Sequence, residues 1–201
     1  MKLEKKYKLV AFFGPDGSGK SLLVNELFKM FKTKNISCQK FHWRPRILPT
    51  INKNFKHLKF NKPNNLKQRN LFFSFFLYIY FFLDFKVNEF FIKKNNKKKI
   101  ILYERYYYDV LIHPRRYKLS KIDWLGKFFS RLLQKPDYSI LLNGDAKSMY
   151  SRKKELDINE IIKQIKLYNN IIPKLSKIIK LNTTKNKIFV LKKSLFKKIT
   201  T

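Results

Sequence analysis

The chain has 201 residues, 46 lysines and arginines against 13 acidic residues, and a formal net charge of +33. Its hydrophobic content of 44% excludes a disordered chain despite that charge, and its length suits one domain over 1–201 with a sizeable core. The lone Cys38 excludes an internal disulfide; with a charged start and no targeting segment read, the cytoplasm is the expected location.

Leu9 to Phe13 is a short apolar run that predicts a buried strand. It leads into Gly14-Pro-Asp-Gly-Ser-Gly-Lys-Ser21, which fits G-x-x-x-x-G-K-[ST], the phosphate-binding loop. From Ser21 the apolar residues Leu23, Leu27, Met30 and Phe31 share one face of a helix. Strand, loop and helix thus come in the order the motif needs. Glycines turn the backbone so that several N–H groups face one point, and the helix start adds its positive end. The candidate nucleotide cradle is Gly14, Asp16, Gly17, Ser18, Gly19, Lys20, Ser21 and Leu22. Lys20 is expected to reach the β- and γ-phosphates of ATP, and the Ser21 hydroxyl to hold Mg²⁺.

Ile36 to His42 predicts a second strand, followed by a polar stretch from Arg44 to about Lys67 read as loop with short helical pieces. Residues 71–83 are almost wholly apolar. They are too few to span a bilayer and predict a buried core helix with Asp84 near its far end. After the polar run Lys93 to Lys99, Ile100 to Tyr103 predicts a third strand and His113 to Tyr117 a loop. Ile122 to Leu133 reads as helix, Tyr138 to Leu142 as a fourth strand, and a short helix is expected to carry Arg152, Lys153, Lys154 and Glu155. Ile158 to Ile172 is amphipathic and predicts a helix ending near Pro173. Ile178 to Leu181 is a fifth strand candidate, and Ile188 to Ile199 a terminal helix. Alternating strands and helices imply an α/β fold with a parallel sheet covered on both faces.

In such sheets ligands sit beyond the carboxyl ends of the strands. The residues there are Asp16, His42 to Arg44, Glu104 with Arg105, and Asn143 to Asp145. Glu104 follows four apolar residues and suits a carboxylate that orients Mg²⁺ or a water. Arg44 and Arg105 suit planar recognition of a second phosphate. Trp43 and Tyr106 to Tyr108 would either stack on a base or pack; Tyr106, beside Arg105, is the tyrosine carried forward as an acceptor contact. Arg115 and Arg116 stay unassigned. The 38 lysines are scattered, which reads as a solvated basic surface with non-specific attraction to polyanions at low salt.

Phe13 to Ser21 resembles the loop of thymidylate kinases, Glu104-Arg105-Tyr106 their Asp-Arg-Tyr/Phe motif, and Lys135-Pro-Asp-Tyr-Ser-Ile-Leu-Leu142 their Pro-Asp-x-x-x-x-Leu strand. Arg152 falls where their mobile lid arginine begins. The resemblance implies a three-layer P-loop fold with strand order 2-3-1-4-5, a lid at about 150–158, and transfer of the ATP γ-phosphoryl group to a nucleoside monophosphate. Catalysis would fall to Lys20, Glu104, Arg105 and Arg152. Asp16 would meet the acceptor's sugar, Arg105 its phosphate, and Arg44 would help hold it. A homodimer through the aromatic helix is a further expectation. Phe13 stands where the family usually has glutamate, Glu104 where it has aspartate, and Arg44-Pro45-Arg46 where it has Arg-Glu-Pro-Gly-Gly. Residues 71–83 contain no arginine to match its acceptor contact, and Arg69, the nearest, lies at the helix start. Two other readings therefore stay open: a P-loop kinase acting on a sugar or other small metabolite, and a non-catalytic nucleotide- or polyanion-binding protein.

Overall fold

A computed structural model describes residues 7–49, 68–94, 99–154, 156–184 and 188–200. The central strand, β1 (Tyr7–Phe13), is buried from both sides because its two neighbours and both helical layers close over it. Leu9, Ala11 and Phe13 point into one core, Val10 and Phe12 into the other. That double burial is why the run is apolar without alternation. Phe12 and Phe13 are fully buried, and each contributes about 2–3 kcal/mol through area removed from water.

Five parallel strands follow the order β2-β3-β1-β4-β5, as the resemblance implied, with β2 at Cys38–Phe41, β3 at Lys99–Glu104, β4 at Tyr138–Asn143 and β5 at Ile178–Asn182. Helices α1 (Lys20–Thr33) and α7 (Ile188–Thr200) cover one face through Leu23, Val24, Leu27, Leu191 and Leu195. The other face carries α2 (Leu71–Lys94), α3 (Asp109–Ile112), α4 (Asp123–Leu132) and α6 (Ile158–Leu175). Helix α5 (Ala146–Arg152) sits at the carboxyl end of β4, its first turn capped by Asp145, which accepts from the Ser148 N–H.

Several boundaries differ from the sequence reading. Strand β2 is shorter than Ile36 to His42. Lys93 and Lys94 belong to α2, while 95–98 lie outside the described residues, as do Glu155 and most of the Arg44 to Lys67 stretch. Lys153 and Lys154 fall beyond the end of α5. Pro173 lies inside the last turn of α6 rather than after it. The loop at His113 to Tyr117 contains a 3₁₀ turn, Pro114–Tyr117, and α3 before it was not foreseen.

The largest correction concerns α2. It runs eleven residues past 83, so Asp84 lies in its middle, and its first turns are exposed at Leu71, Phe72, Phe73 and Phe76. A stretch this uniformly apolar has no periodicity from which to read an inner face. The inner face is Ser74, Leu77, Tyr78, Phe81, Asp84, Phe85, Asn88 and Ile92, so it takes in three of the helix's polar residues. Among the described residues α2 alone is long and apolar enough to cross a bilayer, but this face is packed into the core against the sheet. Asp84 is fully buried and accepts the Arg46 and Leu48 N–H groups at 3.0 and 2.8 Å and Arg44 Nε at 3.0 Å. The Arg44 guanidinium also lies 5.1 Å from the Tyr80 ring centre. Asp84 therefore ties the chain after β2 onto α2. Replacing Asp84→Ala leaves a buried guanidinium and two amides unpaired, so urea unfolding should show a loss of about 3–5 kcal/mol, whereas removing the exposed Asp123 should change little.

Candidate functional site

The site begins where β1 stops. Gly14, Gly17 and Gly19 have φ of 142°, 79° and 86°, conformations that side-chain-bearing residues rarely adopt. Space excludes a side chain as well: a Cβ on Gly14 would lie 2.5 Å from the Leu142 carbonyl, and one on Gly17 would lie 2.3 Å from the Met149 carbonyl. The loop is thus pressed between the end of β4 and α5. Gly19 precedes α1 with no side-chain cap, and the first turn of α1 holds no acidic residue. The helix start is left with amides suited to an anion.

Lys20 is the one buried lysine among the described residues. Its ammonium donates to the carbonyls of Gly14 and Pro15 at 2.6 and 2.5 Å and to Ser18 Oγ at 3.3 Å. Burial, joined by repulsion from Arg105, pushes its pKa down to about 7. Ser21 Oγ donates to Glu104 Oε1 at 2.5 Å, and His42 Nδ1 lies 3.1 Å from Oε2 of the same carboxylate. Strands β1 and β3 are neighbours, with Phe12 in register with Glu104, so the topology brings these groups together. Ser21 and Glu104 supply oxygen donors, the set that suits Mg²⁺ in sites where phosphates and water fill the other positions. Among the described residues there is no cluster of three or more His, Cys, Asp or Glu that would form an all-protein cage.

Arg105 follows β3 with a left-handed φ of 74°, held by its N–H to the Phe12 carbonyl at 2.9 Å. This strained turn aims the side chain back over the loop. Arg105 Nη2 lies 2.5 Å from Asp16 Oδ1, and Arg116 Nη2 lies 2.5 Å from Asp16 Oδ2. Burial alone would raise the Asp16 pKa, but the two guanidiniums overrule it and hold the carboxyl well below the usual range. Asp109, fully buried, stands 3.9 Å from Arg105 Nη1 and accepts the Tyr117 hydroxyl at 2.6 Å and the Tyr168 hydroxyl.

Of the residues singled out from sequence, Asp16, Lys20, Ser21, Glu104 and Arg105 meet here. Ser18 is buried within the loop, and Leu22 is exposed on α1. Arg152 ends α5 and donates to the Thr183 carbonyl at 3.0 Å, beside the end of β5. Arg44 is committed to Asp84. Tyr106 corrects the expectation of an acceptor contact: it is 3% exposed, packs on Phe85 and Tyr108, and donates its hydroxyl to the Gln134 carbonyl at 2.9 Å. Asn143 pairs with Asn169, and Asp145 caps α5. Sequence reasoning left Arg116 unassigned and missed Asp109, Tyr117 and Tyr168. Arg105 has a left-handed φ and lies before α3, so helical spacing gave no signal linking it to Asp109.

Burial alone would raise the Glu104 pKa, but hydrogen bonds from His42 and Ser21 lower it from its ordinary 4.5 to about 2. A depressed carboxylate contributes stability that is complete above its unfolded pKa and is lost as the pH falls through the folded value. Urea unfolding should therefore show the wild type losing on the order of 3 kcal/mol from this group between about pH 5 and 2. Glu104→Gln should lack that part of the acid dependence.

No curated protein matches the chain. The thymidylate kinase family matches residues 12–199, which takes in the phosphate-binding loop, every strand end described above and α7. The chain belongs to the thymidylate kinase family of ATP-dependent nucleotide kinases.

Proposed function

We propose that the protein transfers the γ-phosphoryl group of ATP to a nucleoside monophosphate. The observation that carries this reading is the meeting of two anion-binding halves at the ends of β1 and β3. One is the amide loop with Lys20; the other is the Asp16–Arg105 pair. An oxygen of the acceptor phosphate attacks the γ-phosphorus, the bond to the β–γ bridging oxygen breaks, and ADP leaves. The protein's work is positioning and charge balance. The loop from Gly14 to Leu22 holds the donor phosphates. Lys20 turns from its own carbonyls to their oxygens, and Arg105 holds the acceptor phosphate. Ser21 and Glu104 would hold Mg²⁺, which when bound neutralises charge on the β- and γ-oxygens. Residues 150–158 serve as the lid, bringing Arg152 to the phosphoryl group in flight. The buried, unbridged Cys38 suits the cytoplasm.

Labelled ATP offered with a panel of nucleoside monophosphates and of free sugars tests the reading. Label should pass to a monophosphate, and Lys20→Ala should lower turnover by about a hundredfold or more. Label on a sugar alone would support the sugar-kinase alternative. A Lys20→Ala variant as active as wild type would remove the enzyme reading.

We also propose that two copies associate through α2 and α4. These helices lie side by side, with Phe82 stacked on Phe129 at 4.5 Å, and each exposes large apolar side chains, Phe72, Phe76 and Leu83 on α2 and Trp124, Phe128 and Leu132 on α4. Clustered exposed apolar side chains are a mark of an interface. Two chains of charge +33 repel each other, so association should strengthen as salt screens them. Sedimentation should show a dimer at about 0.3 M salt, and Phe76→Glu should be a monomer with its turnover per chain retained.

A further inference from the structure

Helix α2 contains no arginine from Leu71 to Lys94, and the nearest, Arg69, lies before its start. A second guanidinium nevertheless reaches the acceptor side of the site, from another element. Arg116, on the 3₁₀ turn Pro114–Tyr117, places Nη2 at 2.5 Å from Asp16 Oδ2 and Nη1 at 3.4 Å from Asp16 Oδ1. Arg105 Nη2 takes Oδ1 at 2.5 Å from the other side. One carboxylate is thus clasped between two guanidiniums, and the side chains of Asp16, Arg105 and Arg116 are only 7%, 6% and 14% exposed.

Donors are left over. Arg105 Nη1 and Arg116 Nε are buried and make no hydrogen bond among the described residues. Two guanidiniums and Lys20 converge on Asp16, with Asp109 more distant behind Arg105 and Glu104 turned toward Ser21 and His42. Guanidinium groups bind phosphate and carboxylate oxygens by the same forked geometry. A phosphate dianion offers three terminal oxygens where Asp16 offers two, and carries one more negative charge than the carboxylate it would replace.

Resting on the kinase reading above, we propose that Arg116 and Arg105 together bind the phosphate of the acceptor, and that Asp16 keeps both guanidiniums aligned until that phosphate displaces its carboxylate from them. The acceptor class is then a phosphate monoester, because a neutral sugar brings no anion to replace the carboxylate. Arg116 supplies from the β3–α4 connection the charge that α2 does not.

The test uses the full chain and the nucleoside monophosphate that the wild type phosphorylates best. Arg116→Gln should raise KM for that acceptor at least about tenfold, equivalent to roughly 1.4 kcal/mol, with KM for ATP within twofold of wild type. Arg116→Lys should recover part of the loss, as a point charge does in place of a fork. Arg115→Gln, at the exposed neighbouring position, should match wild type. An acceptor KM unchanged in Arg116→Gln overturns the inference while leaving the kinase reading intact. An equal rise in both KM values, with ATP binding lost by equilibrium dialysis, assigns Arg116 to the fold and overturns it too. A wild-type protein that labels no monophosphate overturns both readings.

Discussion

The Asp16 carboxylate, clasped between Arg105 and Arg116, is the contact on which the architecture of the site depends. Buried guanidiniums are tolerable only when paired and hydrogen-bonded. Asp16 pairs two of them at once, and Asp109 stands behind Arg105, braced by the Tyr117 and Tyr168 hydroxyls. Without Asp16, three cations would face one another across a narrow hollow. The loop that carries Asp16 is in turn fixed by carbonyl contacts to β4 and α5 that leave no room for a Cβ at Gly14 or Gly17. The charge arrangement and the backbone geometry therefore support each other.

Sheet topology brings these groups within reach. β1 and β3 are hydrogen-bonded neighbours, and the Arg105 N–H extends that ladder by one bond to the Phe12 carbonyl before the chain turns left-handed. The loop after β1 and the residues after β3 consequently open onto the same space. Glu104, at the last position of β3, reaches Ser21 at the start of α1 with one oxygen and His42 beyond β2 with the other. Phe13, at the position where the family usually has glutamate, lies in the core with its ring 6.0 Å from that of Tyr108.

The first strand, the loop and α1 were legible in the sequence because the motif and its hydrophobic flanks encode local geometry. Glu104 and Arg105 were legible because a short apolar run ending in charge marks a strand end. The strand order came from the family resemblance; hydrophobic pattern alone does not encode which parallel strands are neighbours. Arg116 stood out in the sequence but stayed unassigned, because a short α3, a 3₁₀ turn and a long-range contact to Asp16 place it. Arg44 misled for the opposite reason. It looked like a free fork at a strand end, but Asp84, forty residues on and hidden inside an apolar helix, takes it. Tyr106 sits beside Arg105 in sequence, yet the left-handed turn at Arg105 sends the two side chains apart, one to the loop and one to the core.

The composition itself explains how so basic a chain builds a specific site. With only 13 acidic residues, four are buried among the described ones: Asp16, Asp84, Glu104 and Asp109. Three of these face arginine, and Glu104 faces histidine and serine; none has a lysine as its hydrogen-bonded partner. A guanidinium is less strongly hydrated than an ammonium and offers donors in a plane, so it enters a buried pair at lower cost. Lysine supplies most of the charge and is exposed or half-buried everywhere in the described residues except at Lys20. That one ammonium is held by loop carbonyls rather than a carboxylate, so nothing anionic has to be displaced before it can turn toward a phosphate. The scattered lysines set the long-range field, while Arg105, Arg116 and Lys20 gather with Asp16 and Glu104 at the strand ends.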